Sequence, residues 1–160
     1  MENRLVDVGQ NSIMNSYIKS DDILKDMCGI IESSRKAAYQ AVNTALVQRN
    51  WLIGYRISEE ELQGEDRAEY GANIIKRLAK ELTAEYGKGY AKSNLYSFYS
   101  FYKTFPNIFQ TLSGKSVPLL SWSHYQTLLQ VKDIEAREWY VKEATEQTLS
   151  VRTLQRNISS

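Results

Sequence analysis

From Ser20 to Glu61 the apolar residues Ile23, Met27, Ile31, Ala38, Val42, Ala45, Leu46, Leu52, Ile53 and Ile57 recur at helical spacing. The period holds for about ten turns of ordinary helix geometry. A pattern that long without internal caps implies either two stacked helices or one long helix that pairs with another chain, and the long helix is the favoured reading. Gly29 and Gly54 weaken the run, and a break near Ser33-Ser34 is the alternative. Ser20 is the expected N-cap, with Asp21 and Asp22 placed where the helix dipole is positive. Residues 1–19 have mixed polarity and no period and read as a flexible N-terminal arm, which leaves 20–160 as one α-helical domain.

The remaining segments are helical too. Gly64-Glu65-Asp66 closes the first run and opens a second, whose inner stripe is predicted as Tyr70, Ile74, Leu78, Leu82 and Tyr86. Gly87 and Gly89 terminate it. A third helix over Lys92 to Phe105 places Leu95, Phe98, Tyr99, Tyr102 and Phe105 on one side, and Pro106 stops it. Residues 107–120 read as a long connection, tucked down by Ile108, Phe109 and Leu112 or forming a short helix. Ser121 or Ser123 caps a helix bearing Trp122, Tyr125, Leu128 and Leu129; Asp133 to Glu146 follows, with Ala136, Trp139, Tyr140 and Ala144 inward. A last helix from Ser150 keeps Leu154 and Ile158 inside. No alternating β-branched and aromatic run bounded by turns occurs, so the expected fold is an all-α bundle.

Two stretches share one local pattern. Gly89-Tyr90-Ala91-Lys92-Ser93-Asn94-Leu95 and Thr148-Leu149-Ser150-Val151-Arg152-Thr153-Leu154 each follow a helix, turn, and start a new helix with a leucine inward. This is the spelling of a helix-turn-helix written twice, a unit whose second helix can present its N-terminal turn to the DNA major groove. The same spelling also serves as plain packing in all-α proteins.

Twenty Lys+Arg against nineteen Asp+Glu give a net charge of +1, so any nucleic-acid contact must come from a local patch. The lone Cys28 excludes an internal disulfide, and with a single His124 there is no metal-ligand cluster and no cofactor is expected. The natural setting is a reducing cytoplasm. No signal peptide or membrane span is expected in the first thirty residues. His124 has no credible serine or cysteine partner for catalysis, and its default role is a hydrogen bond to backbone. Trp51, Trp122 and Trp139 read as core anchors.

The runs Ala38-Tyr39-Gln40-Ala41-Val42-Asn43, Asn50-Trp51-Leu52-Ile53-Gly54, Glu69-Tyr70-Gly71, Leu78-Ala79-Lys80-Glu81-Leu82, Glu85-Tyr86-Gly87-Lys88-Gly89-Tyr90, Leu120-Ser121-Trp122-Ser123-His124-Tyr125 and Ser150-Val151-Arg152-Thr153-Leu154-Gln155-Arg156-Asn157-Ile158 resemble the N-terminal domain of the YhcG-type proteins. In that family such a helical domain precedes a domain of the PD-(D/E)XK nuclease superfamily. The resemblance spans about residues 30 to 160 and implies a DNA-related role, with a C-terminal nuclease domain as partner in the full-length proteins. That nuclease site needs an acid two residues before a lysine to hold a divalent ion. No lysine of this chain meets the requirement, so the chain is expected to be non-catalytic, either an excised domain or a stand-alone relative. The resemblance also implies an arginine where this chain has Ser93, and further basic residues where it has Tyr96-Ser97-Phe98-Tyr99-Ser100. The first repeat should therefore read DNA more weakly than the second, and its Tyr96, Tyr99, Phe101 and Tyr102 could stack on bases or bury against protein.

The expected function is a DNA-binding or DNA-positioning domain for a nuclease, with Arg152, Arg156, Lys142, Lys88 and Lys92 as the nucleic-acid contacts. The alternative is an oligomerisation or protein-interaction domain without nucleic-acid contact. A homodimer through Ile31, Ala38, Val42 and Ala45 is expected. DNA binding predicts a contiguous basic face around Arg152 and Arg156; the alternative predicts an exposed apolar stripe on the first helix.

Overall fold

The computed structural model describes residues 18–62, 67–108 and 120–160. Most of the proposed N-terminal arm, the Gly64-Glu65-Asp66 boundary and most of the connection after Pro106 lie outside the described residues. Six α-helices occur among those described: α1 (Ile23–Leu62), α2 (Arg67–Tyr86), α3 (Lys92–Thr104), α4 (Trp122–Leu128), α5 (Ile134–Glu146) and α6 (Val151–Ser159), with a short 3-10 turn at Lys88–Tyr90. The fold is all-α, and the first run is one helix. By contact density the chain divides into two compact units, Met1–Ala45 and Leu46–Ser160, with the boundary inside α1.

In the first unit the cap of α1 falls two residues later than the sequence predicts. Asp22 Oδ1 accepts from the amides of Leu24 and Lys25 at 3.0 and 3.2 Å, the role expected of an N-cap side chain. Ser20 instead engages Asp26, donating its hydroxyl to Oδ1 at 2.6 Å and its amide to the same carboxylate. Asp26 is thereby buried with its oxygens satisfied. The other face of this stretch is apolar and exposed: Leu24 is 70% accessible, Ile31 52% and Val42 61%. Ala38 and Ala45 are exposed as well.

The second unit is organised on α3. Leu95 and Phe98 join Ile57, Ile75 and Ala79 in one apolar cluster. Phe101, one turn on, joins Val47, Tyr125, Leu128, Ala144 and Leu154 in another. The two leucines that occupy equivalent places in the repeated motif thus anchor one cluster each, and both are fully buried. The segment of α1 from Leu46 onward reaches this core through Trp51, whose Nε1 donates to the Phe105 carbonyl at 3.0 Å, and through Gly54, which lies against the Phe98 backbone.

Three inward assignments fail. In α2, Tyr70 and Tyr86 are exposed, and the buried line is Gly71, Ile74, Ile75 and Ala79. The small residues let that helix approach its neighbours closely, whereas the tyrosines near its two ends keep their polar tips in water. Trp139 is exposed and packs edge-on to Tyr140, because Ala136, Tyr140 and Ala144 define the covered face of α5. Phe101 belongs to the core and not to an aromatic surface; its ring lies 5.1 Å from that of Trp122 and 4.9 Å from that of Tyr125.

Two glycines in α1 predict opposite outcomes. A Cβ at Gly54 would sit 2.1 Å from the Phe98 carbonyl oxygen, so Gly54→Ala should cost about 2 kcal/mol or more, in the range of overpacked cores. A Cβ at Gly29 would meet nothing within 4 Å, so Gly29→Ala should stabilise by about 0.5–1 kcal/mol. Urea unfolding midpoints of the two variants should move in opposite directions.

Burial pushes the Tyr125 phenol from its ordinary 10.0 up to about 12, against a smaller opposing pull from a backbone hydrogen bond with Leu120. The fold favours the neutral phenol, so this contribution is complete below the unfolded value and is lost as pH rises through the folded one. A shift of this size corresponds to roughly 2–3 kcal/mol. Urea unfolding between pH 9 and pH 12 should show that loss, and Tyr125→Phe should reduce the dependence without abolishing it, because the Tyr99 phenol is also raised to about 12.

Candidate nucleic-acid interface

The turn before α6 is closely specified. Helix α5 ends in a Schellman arrangement, in which the Leu149 amide reaches back to the Ala144 carbonyl at 3.1 Å while Thr148 takes a positive φ of 51°. A β-branched residue in that region is strained, so the surrounding contacts must hold it there. His124 supplies one of them. Its Nε2 donates to the Leu149 carbonyl at 2.7 Å, and its Nδ1 lies 2.6 Å from Ser121 Oγ, whose hydroxyl also accepts the His124 amide as the N-cap of α4. This pattern assigns a histidine that ties the α4 cap to the turn, in keeping with its expected structural role.

Ser150 then caps α6, accepting from the Thr153 amide at 3.1 Å. Leu154 faces inward with Val151 and Ile158 beside it, and the outer side carries Arg152 and Arg156 one turn apart. Both arginines are exposed, and neither has an ion-pair partner among the described residues.

The first repeat is built differently. Gly87 turns the chain with φ 96°, and Ala91 occupies the N-cap of α3 without a side-chain bond to the helix amides. Lys88, Lys92 and Ser93 are exposed. Beside them lies a cation that sequence reasoning missed. Arg49, on α1, donates to the Tyr90 hydroxyl at 3.2 Å and stands 5.3 Å above the Tyr90 ring, while two of its N–H groups meet Asn50 Oδ1. None of these partners is a carboxylate, and no ion pair of Arg49 occurs among the described residues. Nothing in the local motif points to a residue some forty positions upstream.

The five sequence-predicted cations are spread over the 3-10 turn, α3, α5 and α6. Lys88 and Lys92 mark one turn, and Arg152 and Arg156 mark the other; α3 and α6 each pack on α4. Lys142, exposed on α5, is flanked by Glu138 and Glu146 one turn to either side, which offsets its attraction for phosphate. The aromatic surface of α3 is likewise close to acids. Tyr99 hydrogen-bonds Glu61, and burial followed by that bond raises its phenol to about 12. Tyr55, whose phenol is raised by its hydrogen bond to Glu59, stacks on Trp51 with ring centroids 5.6 Å apart. Carboxylates so close to these rings disfavour a phosphate backbone lying across them.

Charge is, however, strongly partitioned along the chain. Residues 86–132 contain Lys88, Lys92, Lys103, Lys115 and Lys132 and no Asp or Glu, and residues 147–160 contain Arg152 and Arg156 and no acid either. The acids of the described second unit are thus confined to the later part of α1, to α2 and to the segment Asp133–Glu146. A whole-chain total of +1 conceals this partition. Among the described residues no group of three or more His, Cys, Asp or Glu could hold a metal ion, and no described helix is long and apolar enough to cross a membrane.

The chain is 36% identical over 159 residues to a protein of Escherichia coli (strain K12) named "Putative nuclease YhcG", covering 82% of this chain and 42% of that protein. It therefore spans about two fifths of the length of the curated relative it matches. No solved structure matches it. The DUF1016 N-terminal domain family matches residues 26–160, which takes in every described helix except the first three residues of α1. The chain belongs to the DUF1016 N-terminal domain family.

Proposed function

We propose that this chain is a non-catalytic DNA-binding or DNA-positioning domain that serves a nuclease domain in a reducing cytoplasm. The observation that carries the reading is α6, an acid-free helix held by a strained, well-bonded turn, with Arg152 and Arg156 exposed and unpaired on its outer side. At the start of a helix the amide groups and the dipole add to the attraction for phosphate, and a recognition helix is used at this end. Lys88 and Lys92, with Arg49 behind Tyr90, supply a second and weaker contact at the other turn. Lys142 adds little because of its glutamate neighbours. The relative's name supports a nuclease partner, and the acid-free segments support a polyanion as ligand.

A homodimer through Ile31, Ala38, Val42 and Ala45 belongs to the same proposal, supported by the exposure of all four. That exposed face also favours the competing reading, a protein-interaction domain that never touches nucleic acid.

Fluorescence anisotropy with a random duplex distinguishes them. Arg152→Ala and Arg156→Ala should each weaken binding by about 1 kcal/mol, roughly five-fold, and each should reduce the slope of log K against log salt by about 0.9. Lys142→Ala should bind nearly as well as wild type. Ser93→Arg should tighten binding and steepen the slope. Wild-type affinity that is absent at low salt, or unchanged in both arginine variants, would replace this reading with the interaction domain.

A further inference from the structure

Few side chains hold α6 to its neighbours. Leu154 is the residue of this helix that is buried, with Val151 and Ile158 half-buried beside it. Its polar ties to other helices are long: Gln155 Nε2 lies 3.5 Å from Thr127 Oγ1, and the Tyr140 hydroxyl donates to the Asn157 carbonyl at 3.3 Å. One fully buried side chain fixes a point of a helix and not its direction. The direction of α6, and with it the side on which Arg152 and Arg156 emerge, is set where the chain enters it.

That entry runs through Thr148, the one non-glycine residue with a positive φ among those described. Glycine usually stands at this place in a Schellman end because it adopts the left-handed region without cost, whereas a β-branched side chain resists it. Thr148 is exposed, so burial of its own side chain does not compensate. What the turn has in addition is the His124 imidazole. Its Nε2 donates to the Leu149 carbonyl at 2.7 Å. With the proton there, a neutral ring has a bare Nδ1, which takes the Ser121 hydroxyl at 2.6 Å. His124 lies in the first turn of α4, whose Tyr125 and Leu128 are buried in the core. The bond to Leu149 thus ties the carbonyl just beyond the strained residue to a firmly anchored helix.

We infer that His124 is the positioning residue of α6: its bond to the Leu149 carbonyl holds Thr148 in the left-handed region, and Thr148 in that conformation aims the helix that bears Arg152 and Arg156. The functional consequence rests on the nucleic-acid reading above; the coupling of His124 to Thr148 does not. The two residues act in series. Without the bond, threonine returns to its ordinary backbone region and redirects the chain two residues before the Ser150 cap. With glycine in place of threonine, the left-handed turn persists without the bond, and the histidine becomes dispensable.

Two replacements of the imidazole separate its two bonds. In His124→Asn the amide takes the place of Nδ1, keeping the Ser121 contact and falling short of Leu149; in His124→Gln it reaches the place of Nε2. Residual dipolar couplings of the free, isotope-labelled chain should show the α6 amides altered in His124→Asn while those of α3, α4 and α5 stay as in wild type. They should be near wild type throughout in His124→Gln and in His124→Asn combined with Thr148→Gly. Anisotropy with a random duplex should follow the same order: His124→Asn weaker by about five-fold or more, the size of one lost arginine contact, and the double variant within about two-fold of wild type. A histidine that served only the general stability of the fold would not be relieved by glycine at another residue. Unchanged α6 couplings in His124→Asn, or altered ones that Thr148→Gly does not restore, overturn the inference and leave the DNA reading in place. If His124→Asn alone does not fold, recovery of the folded chain by Thr148→Gly supports the inference and its failure overturns it. Couplings that behave as predicted in a chain without affinity for DNA support the positioning role and overturn the DNA reading.

Discussion

The second unit depends on the ring of Phe101. It is fully buried and meets Phe105, Trp122 and Tyr125 with centroid separations of 5.7, 5.1 and 4.9 Å, mostly in the edge-on and tilted arrangements that aromatic quadrupoles favour. Trp122 in turn touches Phe98, so the same group of rings links both apolar clusters through α3. Because α4 carries Trp122 and Tyr125 and also bears His124, this packing fixes the turn that launches α6. The position of Arg152 and Arg156 is therefore a consequence of core packing several residues away.

Much of this was legible in the residues. Helix starts near Ser121, Asp133 and Ser150 were legible, and in the structure all three residues are N-caps, a chemistry local to a few positions. Leu95 and Leu154 were identifiable because the turn before each fixes the phase of the helix that follows. Phase was lost where an amphipathic aromatic could be read as core: Tyr70, Tyr86 and Trp139 fit a helical stripe by spacing, but the neighbouring helices cover the line of smaller residues instead. Phe101 was misplaced for the converse reason, since in an aromatic-rich helix every face looks alike. Asp22 displaced Ser20 as cap because Asp26, one turn in, competes for the serine hydroxyl. The candidate interface was legible in Arg152 and Arg156 and not in Arg49, whose relation to Tyr90 exists only after α1 has packed on α3.

Two surfaces differ in physical character. Helices α3 and α6 carry cations without acids, which suits a polyanion; Ile23–Ala45 carries exposed apolar residues, which suits a helix. The acids near Tyr55 and Tyr99, and those of α5, border the first surface and would confine a bound backbone to the turns at Lys88 and Ser150.

The claim that α6 carries nucleic acid is tested most directly by mapping amide chemical shifts of the isotope-labelled chain during titration with a short duplex at low salt. The account predicts perturbations concentrated over Ser150–Asn157, with a weaker set over Lys88–Asn94. Perturbations centred on Glu135–Glu146 or confined to Ile23–Ala45, or a spectrum unchanged by DNA, would contradict it.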